Sequence, residues 1–255
     1  RPIEKISVSD YAQRYLYNPS NTSDPGKFDL SRAPYQRDIM DALTPNNGVE
    51  KVIFMAGAQI GKTFTASVWM CFTFDIDPKN FIVYQPTITL AQAYSNTKVD
   101  PMIDSNPRIK EIFSDKKARN NMNLKTFKGA TINFFGANSG NSFRMISAPN
   151  IFADEIDSWE ADIDGEGDPL KLMENRTTTF GAKRKIFLSS TPTIKDLSPI
   201  EREFLEGDQC HYNVPCPHCN AKQVLIFSNL KFDRYENKNR VIPESIYYEC
   251  QICKG

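Results

Sequence analysis

The sequence predicts an α/β fold, a mainly parallel sheet flanked by helices and followed by a small separate module. Three observations lead there. Apolar runs of strand length recur at 52–55, 81–84, 151–153 and 185–188, each bounded by polar or turn-forming residues, as buried strands are. Stretches of helical character lie between them, and strands that alternate with helices build parallel sheets covered on both faces. After Glu206 the composition shifts to cysteines, prolines and short strands, which sets a boundary near 208. The expected organisation is an N-terminal segment over 1–48, an α/β core over 49–207 and a cysteine module over 208–255.

Taken in order, residues 1–48 are punctuated by Asn-Pro, Asp-Pro-Gly and Ala-Pro and read as short helices and loops. A helix is expected over 10–16, capped by Ser7 or Ser9, and another over 35–43, opened by Pro34 and ended by Thr44-Pro45. The strand at 52–55 runs into small residues and Gly61-Lys62-Thr63, then into a helix over 64–74. The strand at 81–84 is followed by a helix over 90–103. Residues 125–135 read as a hairpin turning at Lys128-Gly129. A short buried strand at 151–153 enters a run of acids, 170–177 is helical, and the strand at 185–188 ends in Ser189-Ser190-Thr191-Pro192.

The 255 residues suffice for one large domain with an appendage, and the apolar fraction of 40% is globular rather than disordered. Lys and Arg number 31, as do Asp and Glu. A strongly basic nucleic-acid binder is excluded for the chain as a whole, though a local basic groove is not. No uncharged apolar run reaches the roughly 18 residues that span a bilayer, and the first residues lack a signal-peptide core. A soluble, intracellular protein is expected. Arg1 at one end and a stop two residues past Cys253 at the other read as the edges of a segment of a longer gene product. Eight acids fall between Asp154 and Asp168 without a Lys or Arg, and beyond the first two they read as a solvated loop.

Several motifs carry chemistry. Gly57-Ala58-Gln59-Ile60-Gly61-Lys62-Thr63 lies between a strand and a helix. A phosphate loop needs small residues so that backbone N–H groups close around phosphate oxygens, a Lys to reach the β/γ-phosphates, and a hydroxyl for Mg²⁺. The following helix aims its positive end at the same anion. Three residues separate the glycines here, or four if Ala56 replaces the first, where the standard pattern has four. Gly57, Gln59, Gly61, Lys62 and Thr63 are the candidate nucleotide-binding residues, against the alternative of a glycine turn without ligand. Asn150-Ile151-Phe152-Ala153-Asp154-Glu155 ends a buried strand in two acids about 90 residues later. Asp154 is placed to hold Mg²⁺ and Glu155 to polarise the attacking water, against the alternative of surface acids.

Tyr35 and Gln36 begin a helix before the loop. A Gln amide matches the N6/N7 edge of adenine and an aromatic ring stacks on a base, although the pair reads equally as an amphipathic helix start. Arg144 is a candidate for stabilising γ-phosphate charge, from its own or a neighbouring subunit, with a surface ion pair as its competitor. Ser190 and Thr191, at a strand end, could sense the γ-phosphate or simply form a strand exit. Separately, Cys216-Pro217-His218-Cys219 and Cys250-Gln251-Ile252-Cys253 supply four thiolates for tetrahedral Zn²⁺, in a zinc-ribbon-like module whose intervening 30 residues exceed the usual spacing. Disulfides are the alternative. Cys71 and Cys210 are left over, and His211 and His218 read as packing groups rather than ligands.

The ordered set of Tyr35-Gln36-Arg37, the loop over 55–63, Asp100-Pro101, Ala153-Asp154-Glu155 and the paired cysteine motifs resembles the large subunit of tailed-phage terminases, in the lambda-type (GpA-like) branch. The resemblance implies a P-loop ATPase that uses ATP and Mg²⁺ to move double-stranded DNA into a procapsid through its portal. It further implies a homo-oligomeric ring, a small terminase subunit as partner, the host cytoplasm as location and no membrane. Under it, Tyr35 and Gln36 match the adenine side, Gly57, Gly61, Lys62 and Thr63 the phosphate loop, Asp154 the Mg²⁺ acid and Glu155 the catalytic carboxylate. Ser189 to Thr191 match the motif coupling hydrolysis to movement, and Arg144 sits where a trans-acting finger is expected. Ala58 departs from the many members with an Arg in the loop. Members usually carry a C-terminal endonuclease, whose carboxylates have no counterpart here, so this segment alone is not expected to cut DNA. The competing readings are a helicase-like or other P-loop nucleic-acid ATPase, and a zinc-dependent DNA-binding or assembly module with an inactive ATP site.

Overall fold

In the computed structural model, which describes residues 4–114, 120–236 and 240–255, the chain divides into two units, 1–207 and 208–255. The first begins with helix α1 (Val8–Tyr15), whose N-cap Ser7 accepts the N–H of Asp10. A two-residue pair, β1 (Tyr17–Asn18) and β2 (Gly26–Lys27), then leads to α2 (Gln36–Ala42). Strand β3 (Lys51–Met55) enters α3 (Lys62–Ile76), and β4 (Phe81–Gln85) enters α4 (Ile88–Tyr94). The helix expected over 90–103 is not continuous: a π-turn over Ser95–Val99 separates α4 from α5 (Asp100–Ser105). Helix α6 (Pro107–Ile112) follows, an element the sequence did not announce.

The hairpin β5 (Leu124–Phe127) and β6 (Ala130–Gly136) turns at Lys128-Gly129, with Gly129 at φ +88°. Strand β7 (Asn150–Asp154), helix α7 (Pro169–Glu174), a 3₁₀ stretch to Lys183, and β8 (Lys185–Ser190) complete the core. A second unannounced helix, α8 (Pro199–Leu205), closes the first unit.

The six-stranded sheet has the order β3-β8-β7-β4-β6-β5. Its pairs are parallel except β5–β6, so β5 is the antiparallel edge. Every residue of β4, β7 and β8 is buried, as expected of central strands covered on both faces. One face carries Val83, Phe152 and Phe187 against α3, and the other carries Tyr84, Ile151 and Leu188 with Trp159 and Met173. Twelve of the fifteen residues of α3 are buried, which explains why it is apolar all round rather than striped. Residues 4–48 pack against the sheet and its helices. Tyr11 stacks edge-on against Phe72, and its hydroxyl donates to Asp75, which Arg108 also grips at 2.6 Å. Lys185, at the start of β8, donates to the carbonyls of Ala42 and Val49 and to Asn47, and burial pulls its pKa down to about 8.

The second unit pairs β9 (Val214–Pro215) with β10 (Lys222–Gln223), and β11 (Leu230–Lys231) with β12 (Tyr247–Tyr248). Among its described residues, only Cys216, Cys250 and Gln223 are buried.

Candidate nucleotide site and cysteine cluster

Strands β3, β8 and β7 end side by side, and the registers Met55–Ser190 and Asp154–Ser189 bring the predicted chemistry to one sheet edge. The loop from β3 to α3 turns through Gln59 and Gly61, both at positive φ. The positive φ of 84° at Gly61 favours glycine there, and a Cβ at that position would also displace the Gln36 amide. Lys62 is only 5% exposed; its ammonium donates to the carbonyls of Ala56 at 3.0 Å and Gly57 at 3.1 Å and to the Thr191 hydroxyl at 2.7 Å. Glu155 lies 3.7 Å from the same ammonium.

Asp154, 4% exposed, ends β7 with its carboxylate directed at the start of α3. Its Oδ2 accepts from the Gln85 amide at 3.1 Å and lies 3.5 Å from the Thr63 hydroxyl. Its Oδ1 accepts from Ser189 at 2.5 Å. These donors satisfy oxygens that burial cuts off from water. Thr63 and Asp154, named from spacing alone, are therefore neighbours with oxygen ligands of the kind a Mg²⁺ ion takes. Glu155 adopts the left-handed conformation at φ 48°, ψ 48°, with its carbonyl tied to the Ser158 N–H at 2.9 Å. A bulky non-glycine residue held there is strained, a condition that clusters at functional sites.

Tyr35, Gln36, Gln59, Gly61, Lys62, Thr63 and Glu155 line one cleft of about 680 Å³. The Tyr35 hydroxyl and the Gln36 amide both donate to the carbonyl of Ile60, at 3.1 and 3.3 Å, and so brace the loop between β3 and α3 from the N-terminal side. Arg144 is not brought to this cleft. It lies in the segment after β6, its side chain 63% exposed, in an ion pair with Glu166 at 2.6 Å.

Sequence reasoning missed Gln85, Asp157 and the contribution of Arg32 and Lys98 to the cleft lining. Gln85 had one signal, a polar residue closing an otherwise apolar strand. Asp157 was hidden in the acid run read as a solvated loop. That reading is corrected for two of its members: Asp157 accepts hydrogen bonds from Thr193 and Ile200, and Asp168 caps α7.

In the second unit the sulfurs of Cys216, Cys219, Cys250 and Cys253 all lie within 4.8 Å of one another. Cys216–Cys253 and Cys219–Cys250 are each 3.8 Å apart. A tetrahedron with Zn–S bonds of about 2.3 Å has sulfur–sulfur edges of about 3.8 Å, so the four residues fit the ion. No disulfide joins the described cysteines; Cys71 is buried and Cys210 exposed. The N–H groups of Cys253 and Ile252 hold the Cys250 thiol down at about 6. At Cys253 the Gly255 N–H favours the thiolate, but desolvation and the three neighbouring thiols together push it up to about 11. Four thiols this close resist simultaneous ionisation without a cation.

Residues 22–255 match the family described as phage terminase large subunit gpA, ATPase domain. The chain belongs to that family. It is 28% identical over 254 residues to a terminase large subunit of Enterobacteria phage P21, covering 96% of this chain and 39% of the relative. It is 24% identical over 257 residues to the terminase large subunit of Escherichia phage lambda, covering 98% and 39%. The chain thus spans about two fifths of the length of these relatives. In fold it is similar to the large terminase of bacteriophage HK97, with a TM-score of 0.61 at 14% identity over 78% of this chain and 41% of that one. As a terminase ATPase domain the chain is an ATP hydrolase. No helix among the described residues is long and apolar enough to cross a membrane.

Proposed function

We propose that this domain hydrolyses ATP to drive double-stranded DNA into a viral procapsid. The observation that carries the reading is the convergence on Lys62: a buried ammonium held by loop carbonyls and Thr191, with Asp154 beside Thr63 and Glu155 3.7 Å away. In this reading Lys62 exchanges its carbonyl acceptors for phosphate oxygens. Thr63 and Asp154 would hold Mg²⁺, which neutralises developing phosphate charge when bound. Gln85 and Ser189 keep the Asp154 carboxylate aimed. Glu155 orients the attacking water and accepts its proton. Tyr35, Gln36 and Gln59 flank the nucleotide and Thr191 responds to its γ-phosphate, whereas the expected role of Ser190 there is not supported, because its hydroxyl accepts the Asp157 N–H on the other face of the sheet.

Arg144 is proposed to act on a neighbouring subunit's nucleotide in a homo-oligomeric ring, since in its own chain it is engaged with Glu166 away from Lys62. The small terminase subunit, the portal and the host cytoplasm belong to the same proposal, and DNA cutting is assigned to a longer protein. The cysteine cluster is proposed to hold structural Zn²⁺, because four thiolates leave no open position for catalysis.

Calorimetry with an ATP analogue and Mg²⁺ tests the reading. Lys62→Ala is expected to weaken binding by about 10- to 100-fold, the loss of a charge-assisted contact. Glu155→Gln is expected to bind normally and lose about 100-fold or more in turnover. Wild-type binding and turnover in both would remove the site assignment.

A further inference from the structure

Alternation along β8 sends its last two serines to opposite faces of the sheet. Ser189 faces α3 and binds Asp154. Ser190 faces the other layer, where its hydroxyl accepts the N–H of Asp157 at 3.1 Å. Asp157 in turn makes three more hydrogen bonds. Its Oδ2 accepts from both the N–H and the hydroxyl of Thr193, at 2.9 and 3.0 Å, and its Oδ1 accepts from the N–H of Ile200 at 2.9 Å. Ile200 is the second residue of α8.

One carboxylate therefore joins three pieces of chain. The first is the turn that begins at Glu155, closed by the bond from the Ser158 N–H to the Glu155 carbonyl. The second is the strand exit that carries Thr191, whose hydroxyl holds Lys62. The third is the start of α8, which is anchored to β3 by the ion pair between Glu203 and Lys51 at 2.9 Å. Three donors converge on two oxygens, an arrangement that suits a carboxylate and not an amide, whose nitrogen is itself a donor.

We infer that Asp157 is a positioning residue for the hydrolytic step, holding Glu155 and Thr191 in one frame and tying that frame to α8. The inference rests on the nucleotide-site reading of Lys62, Thr191 and Glu155. When Lys62 leaves Thr191 for a phosphate, the strand exit is released on one side only. Asp157 keeps its other side fixed to the catalytic turn and passes the displacement to the N-terminus of α8.

The test uses the full chain with Asp157→Asn and Thr193→Val, the second removing one hydroxyl donor while leaving the carboxylate in place. Asp157→Asn is expected to bind the ATP analogue within about threefold of wild type while kcat falls by about 10- to 100-fold, the signature of misplacement rather than lost binding. Thr193→Val is expected to shift kcat in the same direction by less. Amide hydrogen exchange gives the second readout: nucleotide changes the protection of 193 and 200–205 in wild type, and does not in Asp157→Asn. Wild-type kcat and a wild-type exchange response in a folded Asp157→Asn overturn the inference. If Asp157→Asn melts, the same two wild-type results in Thr193→Val overturn it. Lys62→Ala and Glu155→Gln run alongside: if both turn over normally, the nucleotide-site reading has failed, whatever Asp157 does.

Discussion

The two units of the chain are held together by different physics. The first buries large side chains on both faces of a six-stranded sheet, with a run of ring contacts from Phe81 through Trp69 and Phe187 to Phe152 on one of them. Among its described residues the second has four two-residue strands, and its exposed apolar residues include Phe227 at 79% and Ile252 at 70%. A 48-residue unit of this kind lies below the size at which an apolar core alone suffices, and such folds are stabilised by metals or disulfides. The contrast teaches where each unit's weak point lies. The first unit has a large buried core to draw on, whereas the second is proposed to depend on its four clustered sulfur atoms.

Chelating the proposed zinc is the strongest way to break the comparison. Structural zinc contributes on the order of 10–16 kcal/mol of binding free energy to small domains that fold around it. Chelation is expected to abolish amide protection throughout 208–255 while the sheet strands of the first unit keep theirs. Equal loss in both units would mean that the first also depends on the cluster. A module that stays protected after complete metal removal would eliminate the zinc reading.

A smaller effect sharpens the account of the first unit. Glu155 is strained at φ 48°, and Asn occupies that region more readily. Glu155→Asn is expected to raise stability by up to about 1 kcal/mol in chemical denaturation while turnover is lost. A destabilised variant would show that the Glu155 side chain contributes packing beyond its strain. The smallest effect is at Arg144. Its pair with Glu166 is exposed on the arginine side, so Arg144→Ala should change the stability of the isolated chain by less than about 1 kcal/mol. A turnover loss confined to assembled protein would then separate a trans role from a structural one.

The central strands, the strand–loop–helix around Gly57–Thr63 and the proximity of the cysteine quartet were legible in the sequence because each rests on short-range rules: apolar runs, glycine spacing and C-x-x-C pairs. Lys62, Thr63 and Asp154 could be named because the strand–loop–helix order fixes where their side chains meet. Helix α8 was missed although Ser198-Pro199 and Glu201 form a capping signature, in which the Ser198 hydroxyl accepts the Glu201 N–H at 3.2 Å; its seven residues gave too short a period to register. The π-turn at Ser95–Val99 leaves the apolar pattern of a continuous helix unchanged, so nothing local marks it. Gln85 and Asp157 were opaque for another reason. Their importance lies in partners 69 and 36–43 residues away, and only the strand order brings those partners within reach.

That strand order has a further consequence. Because β8 lies between β3 and β7, the loop strand and the acid strand never touch, and each takes its alignment from the same intermediary. The separation of β3 from β7 is gauged by that one strand, roughly two inter-strand spacings of about 4.8 Å each. Slipping β8 by a single residue would turn Ser189 away from Asp154 and expose the wrong hydroxyl to each side. A one-residue deletion in β8 is thus a calibration error for the whole site. The turn around Gly165, by contrast, lies at the surface and could absorb an inserted residue without changing the gauge.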